Sequence, residues 1–356
     1  MLNVLIILAL VAFSGCSTDI VTDVPSSEYA RYFDVISLPS EPDSSEDSIS
    51  ALVTISPYDG IRDTLRLAEP FDNIICMSSS HVAALAELGA DSVITAVSGI
   101  RYISNENLLN RYAGEGQPLS DIGYESSLDY EKIMELSPDL LVTYTVSAAE
   151  PAYVTKLRTI GVPVVILYDH LEHHPLARAE YLRFFGALTG RIELADTLFH
   201  DIVSRYQALA SSEHQKKRKV LINIPYSDAW YVPGSDGYMS QLVRDAGGEI
   251  LGSEPGTSSS IITMEEAYIL SQEADIWLNP GHCRSIDELS GVHHLFKRFG
   301  PIVNSHPIYN NTLRTTAEGG NDFWESGSVR PDMILEDLSR IFAEKQDSLN
   351  YFFKLN

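Results

Sequence analysis

Positive charge is scarce in this chain. Lys and Arg number 25 against 49 Asp and Glu in 356 residues, a formal net charge of -24. Nucleic-acid binding through phosphates needs clustered basic side chains, so that class of function is excluded. The one basic run, Lys216-Lys217-Arg218-Lys219, follows a predicted helix and fits a partner for that helix's negative end. Cysteine is equally scarce: three residues, Cys16, Cys76 and Cys283, make neither a disulfide scaffold nor a Cys-rich zinc site. Signatures of common enzymes are missing too. There is no Gly-x-Ser-x-Gly elbow, no Gly-x-x-x-x-Gly-Lys phosphate loop and no Gly-x-Gly-x-x-Gly turn. Ten histidines are present, but His173-His174 and His293-His294 are adjacent pairs, and neighbours on a helix point away from each other. No His-x-Glu-x-x-His set accompanies them.

What is present begins with an address. Leu2 to Phe13 is apolar except for Asn3, too short for the roughly 20 residues of a membrane span but right for the apolar part of a signal peptide. Phe13-Ser14-Gly15-Cys16 resembles a lipobox, with residues 1–15 removed and Cys16 acylated, although no Lys or Arg precedes the apolar run. Residues 16–50 hold eight acids and one base among many Ser and Pro, a tether-like composition. Within residues 16–70, Tyr29–Leu38 and Ser50–Ser56 alternate enough for a short hairpin.

Beyond Pro70 short β-rich runs alternate with helical patterns, the sign of parallel βα units. Strands are expected at Asn73–Met77, Val93–Ser98, Asp139–Tyr144 and Val164–Tyr168. Helices are expected at Ser80–Leu88, Leu128–Leu136, Pro151–Ile160 and Leu176–Thr189. A shorter series follows residue 219, with strands at Val220–Ile224 and Ile276–Asn279 and helices at Tyr238–Ala246, Met264–Ser271 and Pro331–Phe342. Between the series, Arg191–Ser212 keeps a 3-4 apolar spacing through Ile192, Ala195, Phe199, Ile202, Val203, Tyr206 and Leu209 with no Gly or Pro. It reads as a rigid strut between an N-terminal lobe (71–190) and a C-terminal lobe (214–356), with 191–213 as the connection.

Several segments carry a resemblance. Asn73-Ile-Ile-Cys-Met-Ser-Ser-Ser-His81 with Leu85-Ala-Glu-Leu-Gly-Ala90, and Leu128-Asp-Tyr-Glu-Lys-Ile-Met-Glu-Leu-Ser-Pro-Asp-Leu-Leu-Val142, resemble segments of periplasmic binding proteins for iron–siderophores, haem and vitamin B12. Leu157-Arg-Thr-Ile-Gly-Val-Pro-Val-Val165, Ala246-Gly-Gly248 and Glu273-Ala-Asp-Ile-Trp277 follow in family order. Gly99-Ile-Arg-Tyr-Ile-Ser-Asn105, Asp121-Ile-Gly-Tyr124 and Gly319-Gly-Asn-Asp-Phe-Trp-Glu-Ser-Gly327 are similar to an iron-chelate branch. The resemblance implies an α/β fold of two Rossmann-like lobes joined by one long rigid helix, the class III periplasmic binding protein. It also implies an exported, lipid-anchored protein that hands its ligand to a permease dimer driven by an ATPase.

Ligands of open α/β sheets sit beyond the carboxyl ends of the strands. That rule places Ser78–His81, Arg101, Tyr102, Tyr124, Tyr144 and Tyr168 at one cleft face, and Tyr226, Trp230, Tyr231, Ser235, His282, Arg284 and Asn321–Glu325 at the other. Among these, Ser80, His81, Arg101, Tyr102, Tyr124, Tyr144, Trp230, Tyr231, Arg284, Phe323 and Trp324 are the candidate ligand contacts. Aromatic rings offer rigid apolar area and Arg a forked donor for chelate oxygens. His81 alternatively caps its helix, Trp230 and Trp324 alternatively pack a lobe, and Trp277, alternating within a strand, is a core residue. Glu131 and Glu265, at matching places in the two lobes, are by the resemblance the carboxylates that dock on the permease. The expected ligand is a ferric siderophore or similar chelate, with cobalamin or haem as the alternative; no catalytic residue, resident cofactor or protein-held metal is expected. Two other classes compete: a binder of bare zinc or manganese, which needs three or four converging His, Asp or Glu, and an α/β hydrolase.

Overall fold

The computed structural model describes residues 27–39, 48–212, 217–345 and 348–356. The expected leader and Cys16 lie outside these residues. Among them no helix is long and apolar enough to cross a membrane.

Two five-stranded sheets form the body. In the first, Ser120–Asp121, Ile94–Val97, Ile74–Cys76, Leu140–Tyr144 and Val164–Leu167 lie side by side in that order, all parallel. In the second the order is Gly248–Ile250, Arg218–Ile222, Ile276–Leu278, Ile308–Asn310 and Phe353–Lys354, parallel except for the last strand. The central strands Ile74–Cys76 and Ile276–Leu278 are buried at every position. That is why they read as unbroken apolar runs: helices cover both faces of a parallel sheet.

The helix Ile192–Ala210 joins the sheets. Its 19 residues span about 28 Å at 1.5 Å per residue. It packs on Tyr181–Leu188 from the first lobe and on Pro331–Phe342 from the second. The first contact is close because Gly186 faces Ala195: a Cβ on Gly186 would stand 2.5 Å from the Ala195 Cβ. The helix expected over Leu176–Thr189 is two helices, Pro175–Ala179 and Tyr181–Leu188, that meet at Glu180.

Glu180 and Glu172 act on the start of the described chain. The Glu180 carboxylate accepts the backbone N–H groups of Glu28, Tyr29 and Ala30 at 2.6–2.8 Å, and Glu172 accepts those of Arg31 and Tyr32 at 2.8 and 3.0 Å. The chain then enters an antiparallel meander of Phe33–Pro39, Ser48–Ile55 and Arg62–Leu67, so the expected hairpin has a third strand. That strand is mostly exposed, and only Leu65 and Leu67 reach the core, too short an alternation to mark it in the sequence. Phe33 locks the meander in place between the rings of Tyr181 and Phe184, 4.5 and 5.8 Å away. The Tyr168 ring, expected at the cleft, instead packs beside Tyr32 and Tyr58 of this N-terminal region.

Candidate functional site

On the first lobe the loop after Ile94–Val97 is shaped by Asp121, whose carboxylate accepts the N–H groups of Gly99, Ile100 and Gly123. Gly99 sits at φ 73°, and a Cβ there would come within 2.3 Å of the Tyr124 ring, so only glycine lets the ring approach. The result brings together three of the expected contacts. The Arg101 guanidinium lies 4.7 Å from the Tyr102 ring centre and 5.1 Å from that of Tyr124, and it donates to the Tyr102 hydroxyl at 2.6 Å. Arg101 and Tyr102 are exposed, so the cation and the phenol edges are available to a ligand.

Behind this face lies a buried polar cluster. Ser78 caps the helix Ser79–Glu87, and Ser80 donates from its hydroxyl to Asp169 at 2.7 Å. The other Asp169 oxygen is 3.5 Å from His81 Nε2 and 4.0 Å from His170 Nδ1. Burial alone would raise the Asp169 pKa, but contacts with His170, His81 and Ser80 outweigh it and hold the carboxyl well below its ordinary range. The His81 side chain is 1% exposed, so it is neither the cap nor a surface that a ligand can touch. Tyr144, at the end of its strand, is 39% exposed and faces the His170 ring at 5.5 Å. Asp169 and His170 were missed in the sequence although they stand one and two residues past the strand expected at Val164–Tyr168, where the strand-end rule would have found them.

The second lobe presents mainly rings. Tyr226 and Trp324 are exposed on segments beyond strand ends, and Tyr231 is exposed within the short strand Trp230–Val232. Trp324 stands edge-on to Phe323, which is 1% exposed and packs against Tyr351 and Phe352. Phe323 is thus the anchor of this loop and Trp324 its exposed face. Trp230 is also corrected. It is 1% exposed, stacks with Trp277 and Phe299, and donates its indole N–H to the Ile222 carbonyl. Trp277 is core, as its alternation implied. Arg284 is exposed, with its guanidinium 5.2 Å from the Phe353 ring centre, and His282 beside it is exposed too.

The two faces meet. Ser104, two residues past Tyr102, donates its N–H to Glu325 at 2.6 Å and its hydroxyl to Asp322 at 3.3 Å. Arg330 reaches Glu87 at 3.1 Å, and the Arg178 guanidinium lies 3.9 Å from the Tyr238 ring centre. Loop 99–105 and loop 319–327 are therefore neighbours across the lobe boundary. A hollow of about 750 Å³ lies elsewhere, walled by residues 27–31, Glu172, His173, His174, Asp236 and Gln241. None of the expected contacts lines it, and Glu172 there already accepts backbone N–H groups. Among the described residues no three His, Cys, Asp or Glu converge to hold a metal ion.

Glu131 and Glu265 occupy equivalent local positions. Each is the second residue of its helix, after the caps Asp129 and Thr263, and each is exposed. Exposed Met134 and Ile269 lie one turn further along the same two helices.

A relative from Methanocaldococcus jannaschii, described as an uncharacterized lipoprotein, is 24% identical over 304 residues, 81% of this chain and 69% of the relative. The iron(3+)-hydroxamate-binding protein of Bacillus subtilis is 25% identical over 156 residues, 44% of this chain and 45% of that protein. Among solved structures, the periplasmic haem-binding protein of Vibrio cholerae superposes with a TM-score of 0.58 at 19% identity, covering 77% of this chain and 99% of that one. The fold is thus that of the class III periplasmic binding proteins. The sequence profile of the periplasmic binding protein family matches residues 74–301, and the chain belongs to that family.

Proposed function

We propose that this protein captures a ferric siderophore or similar anionic iron chelate outside the cytoplasm and delivers it to the permease dimer of an ATP-driven importer. The observation that carries the reading is the Arg101–Tyr102–Tyr124 cluster, on a loop that meets the Trp324 loop through Ser104 and Glu325: one forked cation among rings on a chain of net charge -24. A chelate presents flat apolar area and anionic oxygens, and this cluster offers the complement of both. An acidic protein supplies no general attraction for an anion, so the grip has to be local. The similarity to an iron(3+)-hydroxamate-binding protein favours the same ligand class. Acylation at Cys16 would keep the protein at a membrane, and Glu131 and Glu265 would meet the two permease subunits. In this reading the chain is a carrier without a catalytic step.

The test is tryptophan fluorescence of the purified chain titrated with ferric hydroxamates, ferric citrate, haem, cobalamin and zinc. Saturable quenching at micromolar or lower concentration by a ferric chelate is expected. A tight response to zinc alone would overturn the reading in favour of a bare-metal binder; a response confined to cobalamin or haem would move the ligand within the family.

A further inference from the structure

Glu325 is 2% exposed, yet it lies between two exposed loops of the cleft, those of Tyr102 and Trp324. Its carboxylate accepts the Ser104 N–H at 2.6 Å across the lobe boundary. Ser104 follows Arg101 and Tyr102 by three and two residues, and Trp324 immediately precedes Glu325. The two backbones come close here: a Cβ on Gly320 would stand 2.4 Å from the Ile103 carbonyl oxygen. One short bridge therefore joins the cation-bearing loop of one lobe to the ring-bearing loop of the other.

We propose that Glu325 is a positioning residue of the cleft, a buried latch that holds the Arg101–Tyr102 loop in register with Trp324 and makes the grip on the ligand depend on pH. This rests on the chelate-binding reading for its ligand but not for its structural part. The first lobe brings only uncharged donors to the carboxyl, from Ser104 and Asn105. The second lobe brings Asp322, whose negative charge is shared with Arg314 at 2.5 Å. Further along that lobe lie Arg330, which pairs with Asp332 and Glu87, and the Tyr351 phenol, which bonds Ser326. Burial, helped by Asp322, raises the Glu325 pKa to about 7 against the bonds from Ser104 that lower it. With the lobes unlatched the carboxyl would be in water and near its ordinary value. The latched state therefore binds the proton more tightly, so protonation favours the latch and ionisation loosens it as pH rises through 7.

Two measurements on the full chain test this. Without ligand, acrylamide quenching of Trp324, taken as the difference between wild type and Trp324→Phe, is followed from pH 5 to 9. Trp324 is already 47% exposed in the latched structure, so wild type should move from a lower to a higher quenching constant with a midpoint near pH 7. Glu325→Gln, which keeps an acceptor for Ser104 but cannot ionise, should keep the lower value throughout, and Glu325→Ala should show the higher value at every pH. No step in wild type, or the same step in Glu325→Gln, would overturn the latch. With a ferric hydroxamate as probe, wild-type affinity should fall by up to about tenfold between pH 6 and 8 while Glu325→Gln stays flat. Equal affinity in wild type and Glu325→Ala at both pH values would remove the positioning role. If the Trp324 step is present and no chelate binds at any pH, the latch stands and the chelate reading fails.

Discussion

The two cleft faces are built from different materials. The first lobe offers a guanidinium with hydrogen-bonded phenols, backed by the Ser80–Asp169–His81 cluster. The second offers exposed rings, Tyr226, Tyr231 and Trp324, on a floor of buried aromatics. On the proposed reading, one face would select for charge and oxygen geometry and the other would supply area that any flat ligand can use. Specificity would then belong mostly to the first lobe, and general affinity to the second.

That contrast can be broken most directly at Arg101. Arg101→Ala should weaken ferric hydroxamate binding roughly 10- to 100-fold, the value of a lost charge-assisted hydrogen bond, and should weaken an uncharged ligand far less. Trp324→Ala should cost roughly tenfold for charged and uncharged ligands alike. Titrations showing the charge-dependent loss at Trp324 and the indifferent one at Arg101 would invert the assignment.

The lobes can also be compared at two outlying segments, each held by buried carboxyls. Glu172 and Glu180 hold the N–H groups of residues 28–32, and Asp337 holds those of Asn350, Tyr351 and Phe352. Burial, with Glu180 nearby, raises the Glu172 pKa to about 7 although Arg31 and Tyr32 donate to it, and its Oε2 has no hydrogen-bond partner. A folded-state pKa above the unfolded value means that the folded form keeps a proton the unfolded form has lost. The stabilisation is thus complete below about pH 4.5 and is lost as pH rises to 7. Glu172→Gln should therefore gain stability relative to wild type across that window, on the order of 2–3 kcal/mol, and show a constant difference above it. Denaturant unfolding of both proteins at pH 5, 6, 7 and 8 measures this, and a difference independent of pH would refute it.

The smallest expected effect concerns the exposed acids, one per lobe. Glu131→Arg with Glu265→Arg should leave ligand affinity within about twofold, because an exposed carboxylate away from the cleft contributes little. Transport stimulation in reconstituted vesicles should be lost. Unchanged transport would dismiss the docking role, and a large loss of affinity would place these residues at the ligand.

Much of this was legible in the chain because burial on both faces of a parallel sheet leaves unbroken apolar runs, as in Ile74–Cys76 and Leu140–Tyr144. The long helix was legible through its sustained 3-4 spacing. Arg101 and Tyr102 are neighbours in sequence, but Asp121 and Tyr124, which shape and complete that cluster, come from the end of the next strand and the loop after it. Burial of particular rings could not. Trp230 and Trp324 both sit in polar, glycine-bearing stretches, and one is core while the other is 47% exposed. The difference comes from Trp277 and Phe299, which are 47 and 69 positions away from Trp230 and stack on it.

Local composition and periodicity determined the two α/β series, the joining helix and the scarcity of positive charge, because each is a property of consecutive residues. The tertiary structure alone decided that His81 and Trp230 are buried, that the meander has a third strand, and that Glu325 meets Ser104 at the lobe boundary. Those outcomes depend on partners brought together from distant parts of the chain, and the free energy of burying a charge or a ring is set by those partners and not by its sequence neighbours.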